Sequence, residues 1–348
     1  MRFLIVGAGA IGSYVGGSLA LGGHDVTFLA RPNVAASLAA EGLHLTWART
    51  GDSRVTRSFQ TVSTLPEALA MASFDCLVLA VKAYDTEQAA TELKAAMGGA
   101  PPPPILALQN GVDAEATLST AFGTQSVISA SVTSPVSKQA AGLVIEKTRG
   151  LGIALGHPLS RPLAAALNAS GIRTRLYPAA GPMKWSKLLT NLVGNATSAI
   201  VDLPVAALFA DPRLYAIEKA TLWECLLVMR ALGYPVVNLP GLPARWLGWS
   251  VMYLPDALAR PLLGRFVGAG RGTKMPSLNL DVQAGHARTE VRWLNGAVAR
   301  HAAALNIPTP INTLLTEIIE ALTSGDLDLA AFRHNPEAFL KLFPNRQR

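Results

Sequence analysis

A doubly wound α/β domain followed by an all-α domain is the fold this sequence predicts, and three observations predict it. The first 178 residues alternate short apolar strand patterns with helical ones. A glycine-rich run, GAGAIG, stands between the first strand and the first helix. After Pro178, segments 183–200, 211–231, 285–305 and 311–323 keep helical periodicity and convincing strands are absent. The break at 179–182 gives expected domains 1–178 and 179–348.

Arg2 to Val6 reads as a strand, Ala10 to Leu21 as a helix, Asp25 to Ala30 as a strand and Asn33 to Ala40 as a helix. Leu43 to Trp47 and Val55 to Phe59 alternate apolar and polar residues, which suits a hairpin. Cys76 to Val81 is wholly apolar, the pattern of a strand covered on both faces of a parallel sheet. Thr86 to Met97 is helical, Pro101 to Pro104 is a stiff loop, and Ile105 to Leu108 is the next strand. Ser126 to Val132 and Leu143 to Leu155 add later strands. Residues 235 to 276 mix Pro and Gly with Trp246, Trp249, Met252 and Tyr253. They read as short helices and loops packed over the helical domain, or as a patch facing lipid or a partner.

Composition bounds the function. Half of the 348 residues are apolar and 15% are charged, which excludes a disordered or coiled-coil chain. Lys plus Arg is 30 against 23 Asp plus Glu, a net +7 without a long basic run. That suits attraction of small anions better than a nucleic-acid surface. Cys76 and Cys225 stand in apolar runs, as reduced buried thiols do. The N-terminus superficially resembles a signal peptide, but glycines at 7, 9, 12, 16 and 17 break its apolar core. No apolar run reaches the length of about 18 residues that a membrane span needs. A cytoplasmic location is expected.

Gly7, Gly9 and Gly12 have the G-x-G-x-x-G spacing between a strand and a helix, the context of a Rossmann-type dinucleotide-binding turn. N–H groups of Ala10, Ile11 and Gly12 at the helix start would hold the phosphates. Arg31 comes 19 residues after Gly12, where an NAD enzyme carries an acid for the ribose 2′-OH. A cation there fits a 2′-phosphate, so NADP is the expected cofactor; a plain surface arginine is the alternative. VKAY places Lys82, and LQNG places Gln109 and Asn110, just after strands. Ligands bind outside the carboxyl ends of such strands, so Lys82 and Asn110 are expected at the nicotinamide end. Asn110–Gly111 also reads as a simple turn.

Lys187, Asn191 and Asn195 recur at i, i+4 and i+8, which puts an amine and two amides on one face of a single helix. That face suits an oxygen-rich substrate, or is a solvated stripe. Ser277 and Asp281 stand four apart, and Glu290 is expected on a helix running to Asn295 and Gly296. A carboxylate near Lys187 would keep its ammonium charged and oriented. His286 is a proton donor by type, but in its Gly-Ala segment it is expected to be exposed.

Taken together, GAGAIG, LARP, VKAY, LQNG, KWSKLLTNLVGNATSAI, SLNLDVQAGHARTEVRWLNG and NIPTP resemble the ketopantoate reductase (2-dehydropantoate 2-reductase) family from residue 7 to about 310. The resemblance implies an NADP-binding domain, a helical domain and a small 2-oxo acid substrate in the interdomain cleft, reduced to a 2-hydroxy acid. No metal, nucleic acid or membrane is implied; a homodimer is compatible with it. It makes Lys187 the general acid and Asn110 the residue that helps position it. Asn191 and Asn195 would contact substrate hydroxyls, Ser277 the carboxylate, and Glu290 would be the acidic residue beside the substrate. The chain departs from the family's pattern at Val205, where better-known members carry a further substrate-binding asparagine. The Asp281–Glu290 spacing is one residue longer, and the stretch from Pro235 to Pro276 is extended. A reductase of another branched 2-oxo acid, a related hydroxy acid dehydrogenase and a non-catalytic NADP-sensing protein stay open.

Overall fold

In a computed structural model of the chain, residues 1–139, 142–271 and 275–343 are described, with the side chains of 266–271 outside the description. Part of the 235–276 stretch, residues 272–274, lies outside the described residues. Two compact units form: Met1–Lys184 with Asn238–Leu242, and Trp185–Val237 with Pro243–Arg348.

Among the described residues, the first unit holds β1 (Arg2–Val6), β2 (Asp25–Leu29), β3 (Leu43–Trp47), β4 (Ser53–Thr56), β5 (Gln60–Val62), β6 (Cys76–Leu79), β7 (Ile105–Ala107), β8 (Val127–Val132), β9 (Val136–Gln139), β10 (Gly142–Ile145), β11 (Leu151–Ala154) and β12 (Thr174–Tyr177). One sheet has the order β12-β11-β8-β7-β6-β1-β2-β5. Its pairs are parallel except β8 with β11. Val6 pairs with Leu29 on one side and Leu79 on the other, and Leu79 pairs with Ala107. These four strands therefore end level. Residues Cys76–Leu79 are fully buried, as their unbroken apolar pattern requires.

The helices α1 (Ala10–Leu21), α2 (Pro32–Glu41), α3 (Leu65–Met71), α4 (Thr86–Met97), α5 (Ala114–Phe122) and α6 (Ser160–Ala169) belong to this unit. Leu65, Ala68, Ala90, Leu93 and Leu118 of α3 to α5 pack with Leu4, Val6, Leu77, Leu79 and Ile105 on one face. On the other face, Tyr14, Val15 and Leu19 of α1 and Leu163 and Leu167 of α6 pack with Phe3, Ile5, Phe28 and Leu106. A second sheet has the order β4-β3-β10-β9; β3 and β4 form the expected hairpin, but its second strand is Ser53–Thr56 where Val55 to Phe59 was expected. The expected strand from Leu143 to Leu155 is corrected: β10 lies in the small sheet and β11 in the large one. Gly150, at φ 129, turns the chain between them. Helix α1 is squeezed between the sheets. A Cβ on Gly16 would stand 2.6 Å from the Phe28 ring, and one on Gly17 2.4 Å from Leu43.

The division falls inside α7 (Ala180–Leu192), after which come α8 (Asn195–Val201), α9 (Val205–Ala210), α10 (Pro212–Ala231), α11 (Ala244–Tyr253), α12 (Asp256–Arg271), α13 (Ser277–Gln283), α14 (Asn295–Ala304), α15 (Pro310–Ser324) and α16 (Pro336–Leu340). The single helix expected over 183–200 is corrected: Gly194, left-handed at φ 63, separates α7 from α8. Glu290 is likewise not on a helix; it precedes a 3-10 turn, Val291–Trp293, ahead of α14. Every residue of α8 is buried. Asn279 Nδ2 donates to the Ser198 carbonyl at 2.8 Å and Gln283 Nε2 to Ala199 at 3.1 Å, which locks α13 along α8. In the 235–276 stretch, Trp249 is 50% and Tyr253 67% exposed, so its packing is incomplete. Among the described residues, no helix is long and apolar enough to cross a membrane.

Candidate active site

Across the carboxyl edge of β2, β1, β6 and β7 stand Arg31, Gly7, Lys82 and Asn110, each following one of these adjacent strands. Gly7 takes φ 102, and its N–H donates to the Leu29 carbonyl at 3.4 Å. A Cβ on Gly12 would come within 2.0 Å of the Gly7 carbonyl oxygen. Only glycine there lets α1 start this close to the strand end. Space around Gly9 is open, with nothing within 4 Å of a Cβ built there. No side chain caps α1, and its first turn has no acid. The first N–H groups of a helix have no acceptor within it. Those of Ala10, Ile11 and Gly12 therefore have no acceptor within the helix and carry the positive end of its dipole, beside the open space at Gly9, which fits a phosphate.

Arg31 is exposed at the N-cap position of α2, where its side chain makes no capping bond, with Pro32 in the first turn. Lys82 is exposed at the start of the 3-10 turn Ala83–Asp85. Asn110 is half-buried, and Gly111 at φ 85 confirms the turn that the N-G pair signalled. The loop is anchored by a residue that sequence reasoning passed over. Lys184 Nζ donates to the Gln109 carbonyl at 2.8 Å and the Ala130 carbonyl at 3.3 Å, and pairs with Glu115 at 2.8 Å. The three acceptors match the three N–H donors of the ammonium. The Lys184 side chain is 5% exposed.

In the second unit, Lys187 Nζ donates to Asn191 Oδ1 at 2.5 Å. Asn195, 4% exposed at the start of α8, turns elsewhere: its Oδ1 accepts the Leu278 N–H at 3.4 Å. That contact places Asn195 against the first turn of α13, where Ser277 is exposed. The candidates thus assemble as two pairs, Lys187 with Asn191 and Asn195 with the Ser277 turn, instead of one helical face. Glu290 is 6% exposed. His286 is exposed beside Asp281, at 3.3 Å. Asn295 belongs to a buried scaffold: its Nδ2 donates to Asn312 Oδ1 at 3.0 Å, and Glu224 accepts the Ile311 and Asn312 N–H groups at 2.9 Å. Val205 is 3% exposed and packs on Gly194. Burial pushes the Cys76 thiol up to about 12, which removes it as a nucleophile.

Glu218 was the second residue passed over. It is 1% exposed, and Oε2 accepts the Gly194 N–H at 2.6 Å. A charged residue inside the apolar repeat Tyr215, Glu218, Leu222, Cys225 was the available signal.

Compared with known proteins, residues 3–157 match the family model described as Ketopantoate reductase PanE/ApbA, and residues 181–323 match Ketopantoate reductase PanE/ApbA C terminal. The chain is 30% identical over 325 residues to the 2-dehydropantoate 2-reductase of Halobacterium salinarum, covering 92% of this chain and 98% of the relative. It is 26% identical over 331 residues to that of Archaeoglobus fulgidus, covering 93% and 98%. Its structure is similar to the crystal structure of the PanE/ApbA family ketopantoate reductase from Ralstonia eutropha JMP134, with a TM-score of 0.78, 28% identity, and coverage of 93% of this chain and 99% of that one. With both family models matched in order over most of its length, the chain belongs to the ketopantoate reductase family, oxidoreductases that act on CH–OH groups.

Proposed function

We propose that this chain uses NADPH to reduce a 2-oxo acid to a 2-hydroxy acid, with 2-dehydropantoate to pantoate the best supported reaction. The observation that carries this is the Lys187–Asn191 pair, an ammonium held at 2.5 Å by an amide on the helix that matches the family. On this reading Gly7, Gly9, Ala10, Ile11, Gly12, Arg31 and Lys82 hold NADPH, and Asn110 orders its nicotinamide end. When bound, NADPH supplies the hydride.

A lysine ammonium is protonated at neutral pH. Reduction of the carbonyl carbon would leave negative charge on its oxygen. Lys187 stabilises that negative oxygen and gives it a proton, which completes the hydroxyl. Water then reprotonates the amine. Asn191 keeps the ammonium aimed. Asn195 and Glu290 bind substrate hydroxyls, and Ser277 with backbone N–H groups at the start of α13 binds the carboxylate.

Val205 favours a second reading. It is apolar where better-known members carry an amide, so a 2-oxo acid with a more apolar distal end would suit this chain. Removing a partner from a hydroxyl costs about 1–3 kcal/mol. The test is kcat/KM with NADPH across a set of 2-oxo acids that includes ketopantoate and its deoxy analogue, 2-oxo-3,3-dimethylbutyrate. Turnover of ketopantoate supports the first reading, and a preference for the deoxy analogue supports the second. A ketopantoate advantage of about a thousandfold, near 4 kcal/mol, removes the second. Absence of turnover with every 2-oxo acid overturns both.

A further inference from the structure

Buried carboxylates are costly and persist where partners hold them. Glu218 on α10 is one, and the reduction described above does not use it. Its contact with the Gly194 N–H, at 2.6 Å, is in the short range of charge-assisted bonds. Gly194 takes φ 63 and ψ 11, and no side chain caps α8 there. Val205 grips the same residue from another side: a Cβ at position 194 would stand 2.4 and 2.7 Å from its two methyl carbons. The turn between α7 and α8 is therefore held at its N–H by a carboxylate and at its Cα by an apolar group.

That turn decides where two amides go. In an unbroken helix, residues four apart lie on one face, so Asn191 and Asn195 would stack. With the turn, Asn191 stays on Lys187 and Asn195 reaches the first turn of α13. We propose that Glu218 is a positioning residue that fixes the Gly194 turn, and through it the angle between Asn191 and Asn195 that receives the hydroxyl-bearing end of a 2-oxo acid. This rests on the reading that these amides contact the substrate.

Two variants test it. Glu218→Gln keeps an oxygen acceptor for the Gly194 N–H, whereas Glu218→Met has similar length and none. For each, KM and kcat would be measured with the 2-oxo acid that native protein turns over best, alongside NADPH affinity by fluorescence and the thermal midpoint. Glu218→Met should raise KM about tenfold or more while kcat and NADPH affinity stay within about threefold. Glu218→Gln should restore KM to within about threefold of native. A purely structural carboxylate would lower the midpoint and the active fraction and leave KM unmoved; that result overturns the proposal. Should Glu218→Met fail to fold, Glu218→Asp carries the same comparison, since it keeps the charge but shortens its reach by one methylene. Native protein inactive on every 2-oxo acid would remove the reading of the site and this proposal with it. Native activity with KM unmoved in the variants overturns this proposal alone.

Discussion

Arg31 stands two residues beyond β2, exposed at the edge where α1 starts. On the proposed reading, a guanidinium there would meet the 2′-phosphate of NADPH and have nothing comparable to meet in NADH. A hydrogen bond to a charged group contributes about 1.5–3 kcal/mol, so Arg31→Ala should weaken NADPH binding roughly ten- to hundred-fold. NADH binding should barely move. Titration of both cofactors at fixed salt checks this, and equal loss for both would contradict it. At this scale, the Lys187–Asn191 contact was legible because residues four apart on a helix meet. Lys184 and Glu218 were not. Their partners, Gln109 and Gly194, lie 75 and 24 residues away. Spacing alone shows neither that these side chains are buried nor what they hold.

At the level of elements, the loop carrying Asn110 is fastened by Lys184, which joins the β7–α5 connection, the β8 backbone and the first turn of α5 to the start of α7. Breaking a buried ion pair by removing one partner costs about 3–5 kcal/mol. Lys184→Met should therefore lower unfolding free energy by about that amount in urea, well beyond the roughly 1 kcal/mol of an exposed pair. A loss under about 1 kcal/mol would show the pair to be ornamental. The Gly194 turn makes a second prediction. Alanine there would be strained at φ 63 and would collide with Val205. Gly194→Ala should lower the thermal midpoint, and pairing it with Val205→Ala should recover part of the loss. Equal midpoints for the single and double variants would contradict the contact. Strand β6 and helix α4 were readable within a residue or two at each end because their own patterns fix them. Strands β5 and β12 are three and four residues long, and they pair with β2 and β11, more than twenty residues earlier in the chain. The break at Gly194 was hidden because a lone glycine inside a helical pattern signals little until Glu218 and Val205 are seen to hold it.

For the whole molecule, the order of parts was legible: an alternating α/β region that builds a mostly parallel sheet, then a helical region. The small sheet was only half visible, since its β3–β4 hairpin is local but the pairing of β3 with β10 is not. Helix α1 sits between the two sheets, which gives Gly16 and Gly17 a packing reason. Leucine at position 17 would collide with Leu43 and should cost at least the roughly 1–3 kcal/mol typical of overpacking, read from urea unfolding. The account as a whole stands on hydride transfer to a 2-oxo acid carbon with Lys187 as the proton donor. It is decided by incubating native protein and Lys187→Ala with ketopantoate and NADPH dideuterated at nicotinamide C4, then weighing the product by mass spectrometry. The prediction is pantoate carrying one deuterium on its carbinol carbon, formed at least about a hundredfold more slowly by Lys187→Ala. Pantoate without deuterium, no hydroxy acid at all, or a Lys187→Ala rate equal to native would contradict it.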